Sequence, residues 1–420
     1  MLELHAIAVK KAEGGGRFEV AMTAPEKRRF LDGISGDSGA YYNMLGRVNV
    51  ERSECSRAAD RESIHAGIRD SVGFGALGRM VFGVMEEWMV EELRAEVAAR
   101  QRDGDEEGEM RWSRVMGSVL GDQGRREEAV EFKERALEIS RRVLSEDDAG
   151  RGAFMNNLAN TYGDLGRHED ALAMMESALE FRRRVLPPDH PDIGSSMNNL
   201  AVTYSDLGRH EDALAMQESA LEFRRRVLPP DHPDIGMSMS NLANTYSALG
   251  RHEDALAMKE SALEFDLRVL PPDHPDIGTS MNNLAATYSD LGRHEDALAM
   301  KASALEFRRR VLPPDHPDIG TSMSNLAATY SALGRHEDAL AMQESVLEFR
   351  RRVLPPGHPD IATSLYNISL SYEQAGDMRK AMDCAREAVV IWQASLPPGH
   401  PHLNLAEKKV LRLERKSDWP

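Results

Sequence analysis

Eleven histidines stand in two ranks and look at first like metal ligands in series. His168, His210, His252, His294 and His336 lie in "GRHED" or its equivalent, and His190, His232, His274, His316, His358 and His400 each precede a proline. Zinc needs its nitrogens within about 2.1 Å of the ion, whereas equivalent residues of stacked helices lie on the order of 10 Å apart. Both ranks are therefore expected to cap helices and shape turns, and no metal or cofactor is expected. Cys55 and His65 would make a thiol and a base, but nothing nearby in sequence orients them. The patterns GxxxxGK[ST], GxSxG and HExxH do not occur, and "GGGR" at 14 lacks the lysine of a phosphate loop. No catalytic residue is named, and the chain reads as a non-enzyme. The "RRR" runs at 182, 224, 308 and 350 fall at expected helix ends beside acidic residues, so a solvated, paired face is expected of them.

Bulk charge narrows the partners. Asp and Glu outnumber Lys and Arg 69 to 52, a net charge of −17 over 420 residues, so attraction to phosphate backbones or anionic membranes is not expected. Nucleic acid is not expected as a partner on that ground. Cys55 and Cys384 are the only cysteines, which suits a reducing interior and a cytoplasmic address. The start "MLELHAIAVKK" has no signal-peptide core, and the apolar stretch from Val72 to Val90 is broken by Arg79, Glu86 and Glu87. Membrane insertion is not expected.

The elements that carry these residues follow one period. Gly124, Gly166, Gly208, Gly250, Gly292, Gly334 and Gly376 recur every 42 residues, and eighteen of the twenty prolines lie in six PPxHP linkers. Between linkers only that glycine interrupts helix formation, so each unit holds two helices. In the unit beginning at Gly194, Met197, Leu200, Ala201 and Tyr204 make the apolar stripe of a first helix, called helix A. Glu211 and Asp212 open the second, helix B, and Arg224 to Arg226 close it, each charge at the helix end that favours it. "RVLPPDHPDIG" is then a stop followed by a start: Pro229 and Pro230 end helix B, Asp231 or His232 caps, and Pro233 suits the first turn. A single hairpin cannot enclose its own stripe, so neighbours must stack.

Leu200, Ala201, Tyr204, Gly208, Ala213 and Ala220 resemble the pattern of a tetratricopeptide repeat, and the 42-residue period with "GRHEDALAM" and "NNLA" resembles the kinesin light chain subclass. The resemblance implies an all-α, right-handed superhelix of seven helix-turn-helix units plus a C-terminal capping helix, with a small α/β segment in front. Residues 109–395 would be the repeats, 1–108 the front segment and 396–420 the cap and tail. The first unit is degenerate, with Met116, Gly117 and Leu120 at key positions and "SEDDAG" as its linker. The implied function is a scaffold for protein or peptide ligands, a kinesin heavy chain or cargo among them; the alternative is a signalling scaffold with no motor.

Copies of the unit differ mainly away from the packed stripe, on the side of helix A that lines the family's concave groove. One position there is constant: Asn157, Asn199, Asn241, Asn283, Asn325 and Asn367. An amide donates and accepts, so such a ladder suits the backbone of an extended peptide, and it resembles the asparagine ladder of kinesin light chain grooves. The alternative is that each amide bridges helices within the stack. Asn198, Asn282, Asp206 and Asp290 complete the candidate set. Acids also stand at Asp164 and Glu373, while no Lys or Arg occupies these helix A positions. That departs from the basic groove of kinesin light chains and favours a neutral or basic ligand, unless Lys259 and Lys301 of helix B lean inward.

In the front segment, "RFEVAM" and "RVNVER" read as strands, 56–71 as a helix and 74–102 as a longer amphipathic helix. The stretch from "FEVAMTAPEKRRFLD" to "SVGFGALGRMVFGVMEEWM" resembles the tail of a Toll/interleukin-receptor-like module.

Overall fold

The computed structural model describes residues 7–12, 15–20, 24–36, 73–354, 357–395 and 400–417. It divides into two compact units, Met1–Ala220 and Leu221–Pro420.

In the first unit, β1 (Ile7–Ala12) pairs antiparallel with β2 (Gly15–Val20). Helices α1 (Ala24–Gly36) and α2 (Gly73–Asp103) follow. The strand expected in "RFEVAM" is β2, but its partner is β1; "RVNVER" and the helix expected over 56–71 lie outside the described residues. Two short paired strands do not make an α/β layer, so the mixed segment expected at the front is not supported. Helix α2 matches the amphipathic pattern over 74–102. It and α1 bury Phe30, Leu31, Met85, Met89 and Leu93 in one cluster with Trp112, Met116 and Leu120 of α3 (Glu106–Asp122). The apolar core is thus continuous from α2 into the first repeat.

The remaining helices of this unit alternate as the period requires: α4 (Arg126–Val143), α5 (Gly150–Asp164), α6 (His168–Val185), α7 (Pro191–Asp206) and the first part of α8 (His210–Val227). The second unit takes the rest of α8, then α9 (Pro233–Ala248), α10 (His252–Val269), α11 (Pro275–Asp290), α12 (His294–Val311), α13 (Pro317–Ala332), α14 (His336–Val353), α15 (Pro359–Gln374), α16 (Met378–Ser395) and α17 (Pro401–Ser417). Odd numbers from α3 to α15 are helix A, and even numbers from α4 to α16 are helix B. Within each unit, clusters such as Leu305, Ile319, Met323, Leu326 and Phe349 join one hairpin to the next.

The punctuation works as its chemistry requires. The recurring glycine has φ between 71° and 82°, a left-handed conformation in which a Cβ would be strained. At the other end, the Nδ1 atoms of His190, His232, His274, His316 and His358 accept the backbone N–H two residues on, at 3.1–3.3 Å. The prolyl histidines are therefore the N-caps, and Asp231 is not. The degenerate linker before α5 has no such cap. There Arg151 reaches back to the carbonyls of Ser140, Arg141 and Leu144, closing the end of α4.

The arginine triplets differ from the solvated face expected of them. The first arginine of each is drawn into the joint between hairpins: Arg182, Arg224 and Arg308 are 2–7% exposed. With Arg350 they donate through Nη1 to Ser196, Ser238, Ser322 and Ser364 at 2.7–2.8 Å. The third lies over a phenylalanine, as Arg310 does over Phe307 at 5.2 Å. One joint breaks the series. At α10–α11 the position is Asp266, 7% exposed, and its Oδ2 accepts from Ser280 at 2.5 Å.

Candidate peptide-binding face

The constant asparagines are held by the register of helix A. Each backbone carbonyl of Asn157, Asn199, Asn241, Asn283 and Asn325 accepts the hydroxyl of a threonine four residues on, at 3.0–3.3 Å. This leaves the carboxamide as the variable end. Asn157, Asn325 and Asn367 are exposed, and Asn199, Asn241 and Asn283 half-buried. Among the described residues the side chains of Asn157, Asn199, Asn283, Asn325 and Asn367 make no hydrogen bond. Asn198 is more enclosed, at 8% exposure, and Asn282 donates its amide to the Gly278 carbonyl at 3.0 Å. Asn198 is thus less open than Asn199, while Asn282 and Asn283 are both half-buried. Asp206 and Asp290 are exposed.

Beside the ladder in the second unit lies a cavity of about 340 Å³ between α13, α14 and α15. Ser324, Ser331, Gln343, Asn367, Leu370 and Ser371 line it. Its one charged wall, Arg350, is already committed to Ser364 Oγ and the Asp360 carbonyl. The cavity accordingly offers neutral polar and small apolar contacts.

Charge on this face is less negative than helix A alone suggests, because helix B supplies cations. Lys301 is half-buried and donates to Thr329 Oγ1 at 2.7 Å; burial pushes its ammonium down, and Asp290 opposes that. Lys133 donates to Thr161 Oγ1 at 2.6 Å, with Asp164 and Asp122 likewise offsetting its burial. Glu373 accepts from both Lys409 and Arg412 of α17, at 3.0 and 2.6 Å, so this acid is neutralised within the chain. Lys259 is 3% exposed, and its Nζ donates to Asn244 Oδ1 at 2.6 Å and the Ser240 carbonyl at 3.0 Å. Burial pushes its ammonium down to about 8.

A value below the ordinary 10.5 of lysine means that the folded chain holds this proton less tightly than the unfolded chain. The penalty is full below about pH 8 and falls away as pH rises toward 10.5. Lys259→Gln should therefore melt higher than the wild type at pH 7, and the gap should close between pH 8 and 10.5. Calorimetry across that range measures it.

With this geometry in view, the family follows from comparison. The tetratricopeptide repeat profile matches residues 109–184, 152–226, 192–268, 234–310, 276–352 and 318–394. The chain belongs to the tetratricopeptide repeat family. Among solved structures, the tetratricopeptide helices superpose on the apo form of the quorum sensor NprR from B. thuringiensis with a TM-score of 0.51, at 14% identity, over 86% of this chain and 99% of that one. Also similar are BtubC (BKLC) from P. vanneervenii (TM-score 0.48, 25% identity, 55% and 94% covered) and nearly identical TPR-like repeats of Podosopora anserina, assigned as a kinesin light chain (TM-score 0.45, 24% identity, 49% and 96% covered). No curated protein matches the sequence.

Among the described residues, no helix is long and apolar enough to cross a membrane. Cys55 and His65 lie outside the described residues. Tetratricopeptide repeats suit protein–protein interaction, and no catalytic family is indicated. Sequence reasoning missed the pairing of Lys259 with Asn244. The signal was present: position 259 varies among copies as Met175, Gln217, Lys301 and Gln343, while its helical flanks scarcely change.

Proposed function

We propose that this tetratricopeptide repeat chain is a non-catalytic scaffold that holds extended segments of partner proteins along its helix A faces. The observation that carries the reading is the ladder: the same amide on successive repeats of each compact unit, exposed or half-buried, with no internal partner at Asn157, Asn199, Asn283, Asn325 or Asn367. An amide that served the stack would be spent within it. A row of unspent donors and acceptors matches the alternating N–H and C=O groups of an extended backbone, while the neighbouring cavity takes a small side chain. Asn198, Asn282, Asp206 and Asp290 border the ladder and belong to the same proposed face.

In its finer form the reading is a kinesin-light-chain-like cargo adaptor in the cytoplasm, with repeats over 109–395, a front segment over 1–108 that resembles the tail of a receptor-like module, and a cap over 396–420. The signalling scaffold is its competitor. Co-purification of a kinesin heavy chain from native extract separates the two, since its failure leaves the scaffold and removes the motor.

For the ladder, Asn283→Ala combined with Asn325→Ala should weaken binding of array-selected peptides about tenfold, the worth of one or two hydrogen bonds. The melting temperature should stay within a few degrees. Parallel loss of stability and binding would make the ladder structural and defeat the proposal.

A further inference from the structure

Among the described residues, the other buried or half-buried lysines of the repeats and cap sit beside carboxylates. Lys409 has Glu373 at 3.0 Å, Lys133 lies in the field of Asp164 and Asp122, and Lys301 in that of Asp290. Lys259 has two neutral acceptors instead. The helix A that it crosses ends in Ala248, where other repeats carry Asp164, Asp206 or Asp290. An unpaired buried ammonium is expensive, and packing does not require one, because Met175, Gln217 and Gln343 fill the same place in other repeats.

The contact with Asn244 fixes an orientation. An ammonium can only donate, so it takes the carboxamide oxygen and turns the NH₂ of Asn244 away from itself. Asn244 is exposed on α9, one turn beyond Asn241 of the ladder. This part of the face therefore presents two N–H donors with a cation directly behind them. Such donors favour a full negative charge over a neutral carbonyl.

We propose that Asn244, turned and polarised by Lys259, anchors a carboxylate side chain of the extended partner segment. This rests on the peptide-binding reading above and adds a register to it. The ladder takes the backbone, the acid docks at α9, and Asp290 on α11 selects a neutral or basic residue one repeat further along.

The test uses the full chain on an array of decapeptides with a serine–alanine background and one central Glu, Asp, Gln, Asn, Lys or Arg. Acidic members should be held about tenfold more tightly than their amide counterparts. Lys259→Gln and Asn244→Ala should each erase that preference, so that acidic members bind no more tightly than their amide counterparts. Asn244→Asp gives the ammonium an internal counter-ion, so it should remove the preference and raise the melting temperature. Binding without acid preference, or a preference that survives Lys259→Gln, would overturn the anchor and leave the groove standing. No binding by any peptide class would overturn both.

Discussion

A chain ended at Ser395 should lose on the order of 5 kcal/mol from its last hairpin. Helix α17 buries Leu403, Ala406 and Leu413 to 6%, 0% and 1% exposure. They cover Trp392 and Ala388 in one cluster and Ala381, Met382 and Ala385 in another. Two leucines and the uncovered indole are each worth about 1.5–3 kcal/mol as large buried side chains. The truncation also strips Lys409 and Arg412 from Glu373, leaving that carboxylate without its cations. Stacked repeats stabilise mainly through nearest neighbours, so α15 and α16 should melt ahead of the rest. Circular dichroism should show an early transition, with dye binding to the newly apolar end. An unchanged single transition would mean that α17 is an ornament.

Asp266→Arg should stabilise the second unit by about 2 kcal/mol. The wild-type carboxyl is buried, and that burial raises its pKa; the hydrogen bond from Ser280 and the nearby His274 pull it down, while Asp276 pushes it up. A carboxyl that holds its proton more tightly when folded loses stability as pH climbs past the ordinary carboxylate range of about 4, and the deficit persists at neutral pH. The introduced guanidinium has a seat, because Ser280 and the Asp276 carbonyl occupy the places that Ser322 and the Asp318 carbonyl offer Arg308. Room exists as well: a Cβ on Gly236 would stand 2.5 Å from Asp266 Oδ1, so that glycine already keeps the approach clear. Wild type and variant should melt close together near pH 4 and diverge above it. A constant gap would assign the gain to packing.

The hairpins were legible because their signals are local. Prolines at fixed spacing, a glycine that must take positive φ, and acids and arginines at opposite helix ends all act within a few residues of themselves. The ladder's openness could be expected too, since 100° per residue places Asn199 away from Leu200 and Tyr204. What stayed hidden concerns long side chains and their neighbours across a joint. Arg224 reads as one of three exposed cations until the next hairpin supplies Ser238 and the Asp234 carbonyl. For Lys259 the sequence leaves an inward lean open without deciding it; its four methylenes carry the charge across to helix A, where Asn244 and the Ser240 carbonyl receive it. Glu373 reads as a groove acid, and only the packing of α17 shows that Lys409 and Arg412 consume it. Helical periodicity gives the direction of a Cα–Cβ bond and says little about where the last atom of a lysine or arginine comes to rest.

The shared arginine–serine joint has a further consequence. Arg308 meets Ser322 in the same geometry as Arg350 meets Ser364, so deleting residues 320–361 would bring Arg308 against Ser364 in a contact the chain already knows how to make. Whole 42-residue repeats are therefore exchangeable at this joint, and the array can lengthen or shorten in steps of one hairpin without inventing a new packing contact.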